Sequence, residues 1–145
     1  MRSTYRVLAL LICLGVVLQA AAIAFGWFDV IADSEDADVV LNDDYDGNAG
    51  HMMHGIVGMS VIPLLGLILL VVSFLTKVPG ASKWAGYVFG SIVFQVVIGI
   101  MSFSIPILGV LHGVNAFVLF GVALMAARRV DVATPAEAGR ENAYT

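Results

Sequence analysis

Two short stretches of this sequence repeat the same arrangement of groups able to bind a metal: His54-Gly55-Ile56-Val57 and His112-Gly113-Val114-Asn115. Each is preceded by a long apolar run carrying one glutamine, Gln19 before the first and Gln95 before the second. A neutral imidazole binds metals through a ring nitrogen at about 2 Å, and it also exchanges protons near neutral pH. Such a side chain inside an apolar span is costly, so it marks a functional site whose partner should be named. For each of these histidines the natural partner is the other.

Residues near the pair suit a bound group. Positions four apart share a helix face, so His54 stands over Gly58 and His112 over Ala116, both small. Ser91, Gln95 and Gly99 form one line, and Gly15 and Gln19 another. Gln19, Gln95 and Asn115 are expected to hydrogen-bond one another, the outer nitrogens of the histidines, or a ligand, because such contacts fix the orientation of ligating rings. His51 lies one turn before His54, where it either meets an anionic group of the ligand or faces water. Met52, Met53, Met59 and Met101 add a copper alternative, since thioethers with imidazoles favour copper(I). The same stripes also serve close packing between membrane helices, and methionine is a common filler of apolar interiors.

The elements that must position these groups are legible in the composition, 60% hydrophobic and 12% charged. Four apolar runs, at about 7–28, 52–75, 84–103 and 107–127, are each long enough to cross a hydrocarbon layer of about 30 Å. An acidic loop at 29–51 joins the first two, Pro79-Gly80 signals the second reversal, and Ser104-Ile105-Pro106 the third. Short connections make sequential helices antiparallel neighbours. The expected fold is all-α, an up-down-up-down four-helix transmembrane bundle over 1–130, followed by a flexible tail at 131–145. Helices 2 and 4 then face each other across a diagonal of roughly 12 to 14 Å. Two imidazoles with a metal between them need about that span, and a flat macrocycle holding its iron between two histidines fits it.

Arg2, Arg6, Lys77, Lys83, Arg128, Arg129 and Arg140 all fall on one side if the spans alternate, and the first loop is rich in Asp with no base. Positive flanks stay inside, so both termini are expected in the cytoplasm and the acidic loop outside the plasma membrane. A cleaved signal peptide is the rival reading of the first span, with Gln19-Ala20-Ala21-Ala22 as the processing site, but the apolar run continues to Phe28. Asn42 to Asn48 has the carboxylates of a calcium loop without the spacing of one. Cys13 has no partner for a disulfide. No nucleotide-binding loop, nucleophile with a base, or carboxylate pair within a span is present, so independent catalytic activity is not expected. Lipids, and not nucleic acid, are the expected surroundings.

The chain therefore reads as two hairpins, each a glutamine helix followed by a histidine-glycine helix, related by a rough two-fold axis along the membrane normal. In topology and histidine placement it resembles one half of haem A synthase, over about residues 5 to 128. It also resembles a family of small prokaryotic four-helix membrane proteins with the same pattern. That resemblance implies a haem faced by His54 and His112 at the outer ends of helices 2 and 4. The synthase has a glutamate and an arginine where this chain has His51 and Gly55, and this outer loop lacks a cysteine pair. A haem b site carries over and the oxidative chemistry does not. The expectation is a b-type haem protein in electron transfer or haem handling, exchanging electrons with quinol or a periplasmic carrier. The alternatives are an accessory subunit of a larger membrane complex and a copper-binding protein.

Overall fold

The computed structural model describes residues 1–35, 42, 45 and 47–132. They form α1 (Arg2–Glu35), α2 (Ala49–Ile56), a π-helical turn (Val57–Val61), α3 (Ile62–Leu75), α4 (Ala81–Ser102) and α5 (Leu108–Val132). Through the π turn, α2 and α3 make one continuous span. Four stretches are long and apolar enough to cross a membrane: Arg2–Ser34, Ala49–Leu75, Ala81–Ser102 and Leu108–Val130. The protein is a multi-pass membrane protein, all-helical among the described residues. Residues 36–41, 43, 44 and 46 of the acidic loop, among them the three aspartates of the candidate calcium segment, and the tail beyond 132 lie outside the described residues.

Each span packs on its neighbours in sequence, and α5 closes the ring against α1. The second span therefore lies diagonally across from α5, as the connection lengths predict. The core is driest between the ends of the spans that carry the basic residues. Tyr5, Ile12, Leu69, Val88 and Ile92 are fully buried there, and Ala85, Ala123 and Ala126 let the helices approach closely. At that end the Tyr5 hydroxyl donates to the carbonyl of Ala81, and the Arg129 guanidinium lies 4.9 Å from the centre of the Trp84 ring. The reversal before α4 needs a left-handed residue and places Gly80 there, with φ 74°. Large apolar side chains on the outward faces, among them Phe28, Phe74 and Phe117, remain exposed, as contact with lipid acyl chains requires.

Two boundaries depart from the sequence reading. Helix α1 does not stop at 28: it continues through Asp29 to Glu35, with Val30 buried and Asp29 tied to Asn48. The end of an apolar run marks where lipid contact becomes unfavourable, not where backbone hydrogen bonding stops. With 34 residues, α1 is roughly 50 Å long, well beyond a hydrocarbon layer. The second span is likewise not a plain helix. Pro63 has no N–H to donate, and the backbone answers one turn earlier by widening, so that Ile62 N–H donates to Val57 O, five residues back.

Candidate functional site

Helix α2 is set onto α1 by its first residues. Asn48 caps it: the side-chain oxygen accepts from the N–H groups of Gly50 (3.1 Å) and His51 (3.2 Å). Its amide nitrogen donates to Gly26 O and Asp29 Oδ2, both at 2.8 Å. His51 completes a capping box, its Nδ1 accepting from the Asn48 N–H at 3.5 Å. The His51 ring packs edge-on against Trp27 and Tyr45. Gly50 lies so near α1 that an added Cβ would sit 2.5 Å from both Ala22 O and Gly26 N. This crossing fixes where α2 starts, and His54 follows one turn later.

His54 and His112 are brought together, their ring centroids 6.0 Å apart and their planes inclined at 61°. Each ring is held by the main chain of the preceding span. His54 Nδ1 meets Gln19 O at 3.0 Å, and His112 Nδ1 meets Gln95 O at 3.1 Å. A carbonyl only accepts, so both Nδ1 atoms carry the proton, and in the neutral rings both Nε2 atoms keep their lone pairs. Neither Nε2 has a hydrogen-bond partner among the described residues. The two rings are thus fixed in the tautomer a metal ligand needs, by the type of bond that commonly sets it.

The surroundings of the two rings differ. Around His112 the polar groups close on themselves. Gln95 Nε2 donates to His112 O at 2.9 Å, returning the contact that its own carbonyl receives from the ring. Asn115, 8% exposed, donates to Gln95 Oε1 (2.7 Å) and to Ser91 O (3.0 Å), and accepts from Ser91 Oγ (3.1 Å). Gly99 supplies the floor: a Cβ there would lie 2.9 Å from His112 Nδ1. Around His54 there is only the Gln19 carbonyl. The Gln19 side-chain amide has no hydrogen-bond partner among the described residues, and its Oε1 lies 2.9 Å from where a Cβ on Gly58 would be. Ala116 is half-buried one turn below His112.

Of the candidate residues, the structure therefore gathers His54, His112, Gln19, Gln95, Asn115 and Gly58 at one level. It places His51 in the cap of α2, against Trp27 and Tyr45. The glutamines act on the histidines through their carbonyls, whereas the sequence suggested their side chains. Asn48 was missed, although an asparagine just before an apolar run is a helix-start signal. Met52, Met53, Met59 and Met101 are 45 to 61% exposed, turned away from the interior. Among the described residues no three His, Cys, Asp or Glu side chains form a group able to hold a metal ion. An open apolar groove lined by Met59, Pro63, Ile92 and Val96 runs between the π turn and α4. No family model, curated protein or solved structure matches this chain.

Proposed function

We propose that this protein is a small b-type cytochrome of the plasma membrane, in which His54 and His112 hold a haem iron from both sides. The observation that carries this reading is the ring pair itself. Two imidazoles sharing one metal at about 2 Å from each nitrogen have their centroids roughly 6 Å apart, and here the separation is 6.0 Å. Both rings are also in the tautomer that leaves Nε2 as the ligand. A donor set of only two protein groups suits a macrocycle, which brings four nitrogens of its own, better than a bare zinc or copper ion. Gly99 lets the His112 ring lie directly against α4, and Gly58 does the same for the Gln19 side chain against the second span.

When bound, the haem supplies one-electron chemistry; ligation from both sides favours electron transfer or haem handling over catalysis at the iron. The chain's own residues hold and orient: Gln19 and Gln95 carbonyls fix the rings, and Asn115 fixes Gln95. The basic ends of the spans support an orientation with both termini in the cytoplasm, which puts the histidines near the outer surface, where quinol or a periplasmic carrier would be the electron partner. On this reading the chain is a free-standing counterpart of one half of haem A synthase. Exposed methionines give the copper alternative less support.

Reduced-minus-oxidised absorption spectra of protein purified from haem-replete cells test the proposal. Wild type should show a Soret band and sharp α and β bands, and His112→Ala should lose them. A wild type without a Soret band, or a spectrum that neither His54→Ala nor His112→Ala alters, would sink it. A second reading, as an accessory subunit, rests on Gly86, Gly90, Gly113 and Gly121, where an added Cβ meets nothing within 4 Å. Such open backbone lets another membrane helix approach closely. Copurification of one larger complex with a pigment-free chain would favour it.

A further inference from the structure

The two rings are held with unequal firmness, and the looser one has an idle polar group beside it. We infer that His54 is the releasable member of the pair, and that the position it gives up accepts a small neutral diatomic ligand next to the Gln19 amide. This rests on the haem reading above.

His112 has little freedom. Its ring and carbonyl both engage Gln95, Asn115 donates to Gln95 Oε1 and is itself bound to Ser91, and Gly99 lies against the ring. His54 has a single tether, the Gln19 carbonyl. The backbone that carries it is also less confined. The π turn that begins three residues after His54 contains no buried residue, whereas α5 runs on from His112 as ordinary α-helix. Helix α2 packs chiefly on α1, and the apolar groove past Met59 and Pro63 runs beside the π turn that follows it. A π turn inside a helix is a frequent mark of a functional position.

Gln19 supplies the second, independent observation. Its amide offers two donors and an acceptor, satisfies none of them within the described residues, and lies over Gly58 on the His54 side. In the second hairpin the corresponding amide, Gln95, donates to His112 O and accepts from Asn115. An unengaged donor beside a vacated ligand position is what discriminates among diatomic ligands at such sites. In the exchange, His54 Nε2 withdraws, its Nδ1 keeps its proton, and the incoming ligand fills the position with a lone pair. No electron or proton changes place.

Carbon monoxide is the probe. Added to the haem-loaded, dithionite-reduced protein, it should shift the Soret band of wild type. In stopped-flow mixing, His54→Ala should bind it about tenfold faster or more, since no ring has to leave first and each 1.36 kcal/mol off a barrier is a factor of ten. In the infrared, Gln19→Leu should move the C–O stretch relative to wild type, because the amide no longer contacts the ligand. A Soret band indifferent to carbon monoxide would overturn this inference and leave the cytochrome reading standing. Acceleration in His112→Ala without any in His54→Ala would overturn it as well. Should His54→Ala fail to hold pigment, the infrared comparison decides: a stretch unchanged by Gln19→Leu would overturn the inference. A wild type without a Soret band would remove both readings.

Discussion

The hairpin of α1 with α2 and the hairpin of α4 with α5 present the same contact, a histidine Nδ1 on a glutamine carbonyl, at 3.0 and 3.1 Å. They secure it differently. The first is fastened at its end, by the Asn48 cap and the Gly50 crossing on Gly26, and has almost no polar contacts at the level of the ring. The second is fastened at the ring itself, through Ser91, Gln95 and Asn115, and turns over in a short Pro106 reversal. In an apolar medium each unsatisfied polar group costs several kcal/mol, so a closed network like the second is rigid, while a lone contact next to backbone slack is not. One histidine-to-carbonyl contact can thus be reached through either end-fastening or ring-fastening, and the two predict different responses to damage.

The largest effect is expected at the end-fastening. Gly50→Ala places a methyl against backbone atoms of Ala22 and Gly26 that cannot yield, so it should cost about 2–3 kcal/mol, read as a lower midpoint in thermal unfolding in detergent. Next comes the network. Asn115→Leu removes three hydrogen bonds and leaves Gln95 Oε1 and Ser91 Oγ unpaired, for about 1–2 kcal/mol by the same measurement. Gly99→Ala presses on the fixed His112 ring and should cost about 1 kcal/mol with a displaced Soret band. His51→Ala loosens the cap of α2 by about 0.5–1 kcal/mol and should leave the Soret position unchanged, since His51 is engaged with Asn48, Trp27 and Tyr45. The smallest effect is assigned to Gly58→Ala, within about 0.5 kcal/mol, because the added methyl meets the movable end of the Gln19 side chain and no backbone. If Gly58→Ala proved more damaging than Gly99→Ala, the contrast between a loose and a fixed ring would fail.

Much of this was legible from residue types alone. Four apolar runs and two tight reversals dictate the bundle, and the repeated His-Gly steps point to the pair that meets across the diagonal. Gln95 and Asn115 were legible as partners because buried amides in a membrane must find each other. The carbonyl contacts were not, since every residue has a carbonyl and nothing in its side chain says which will accept from a ring. His51 also escaped: its nearness to His54 in sequence suggested a shared site, but the first turn of a helix has unpaired N–H groups, and that local need claims its ring. The end of α1 was misjudged for a related reason, because polar residues such as Asp29 continue a helix readily once a partner like Asn48 is within reach.

The widened turn at Val57–Val61 has a geometric consequence. In α3 the buried positions are Ile62, Gly66, Leu69 and Ser73. Stepping back from them at the ordinary helical spacing reaches Met59 and then Gly55, yet Met59 is 61% exposed and it is His54 that meets His112. The span contains one residue more than a uniform winding needs, and the π turn absorbs it. Were those five residues to rewind as ordinary α-helix, everything before them would rotate by about 100°, carrying His54 off the bundle axis while α3 stayed in place. A chain one residue shorter in that segment would keep the histidine inward with no turn to unwind. The surplus residue thus sets the angular position of His54 apart from that of α3, a separation for which α5 has no counterpart.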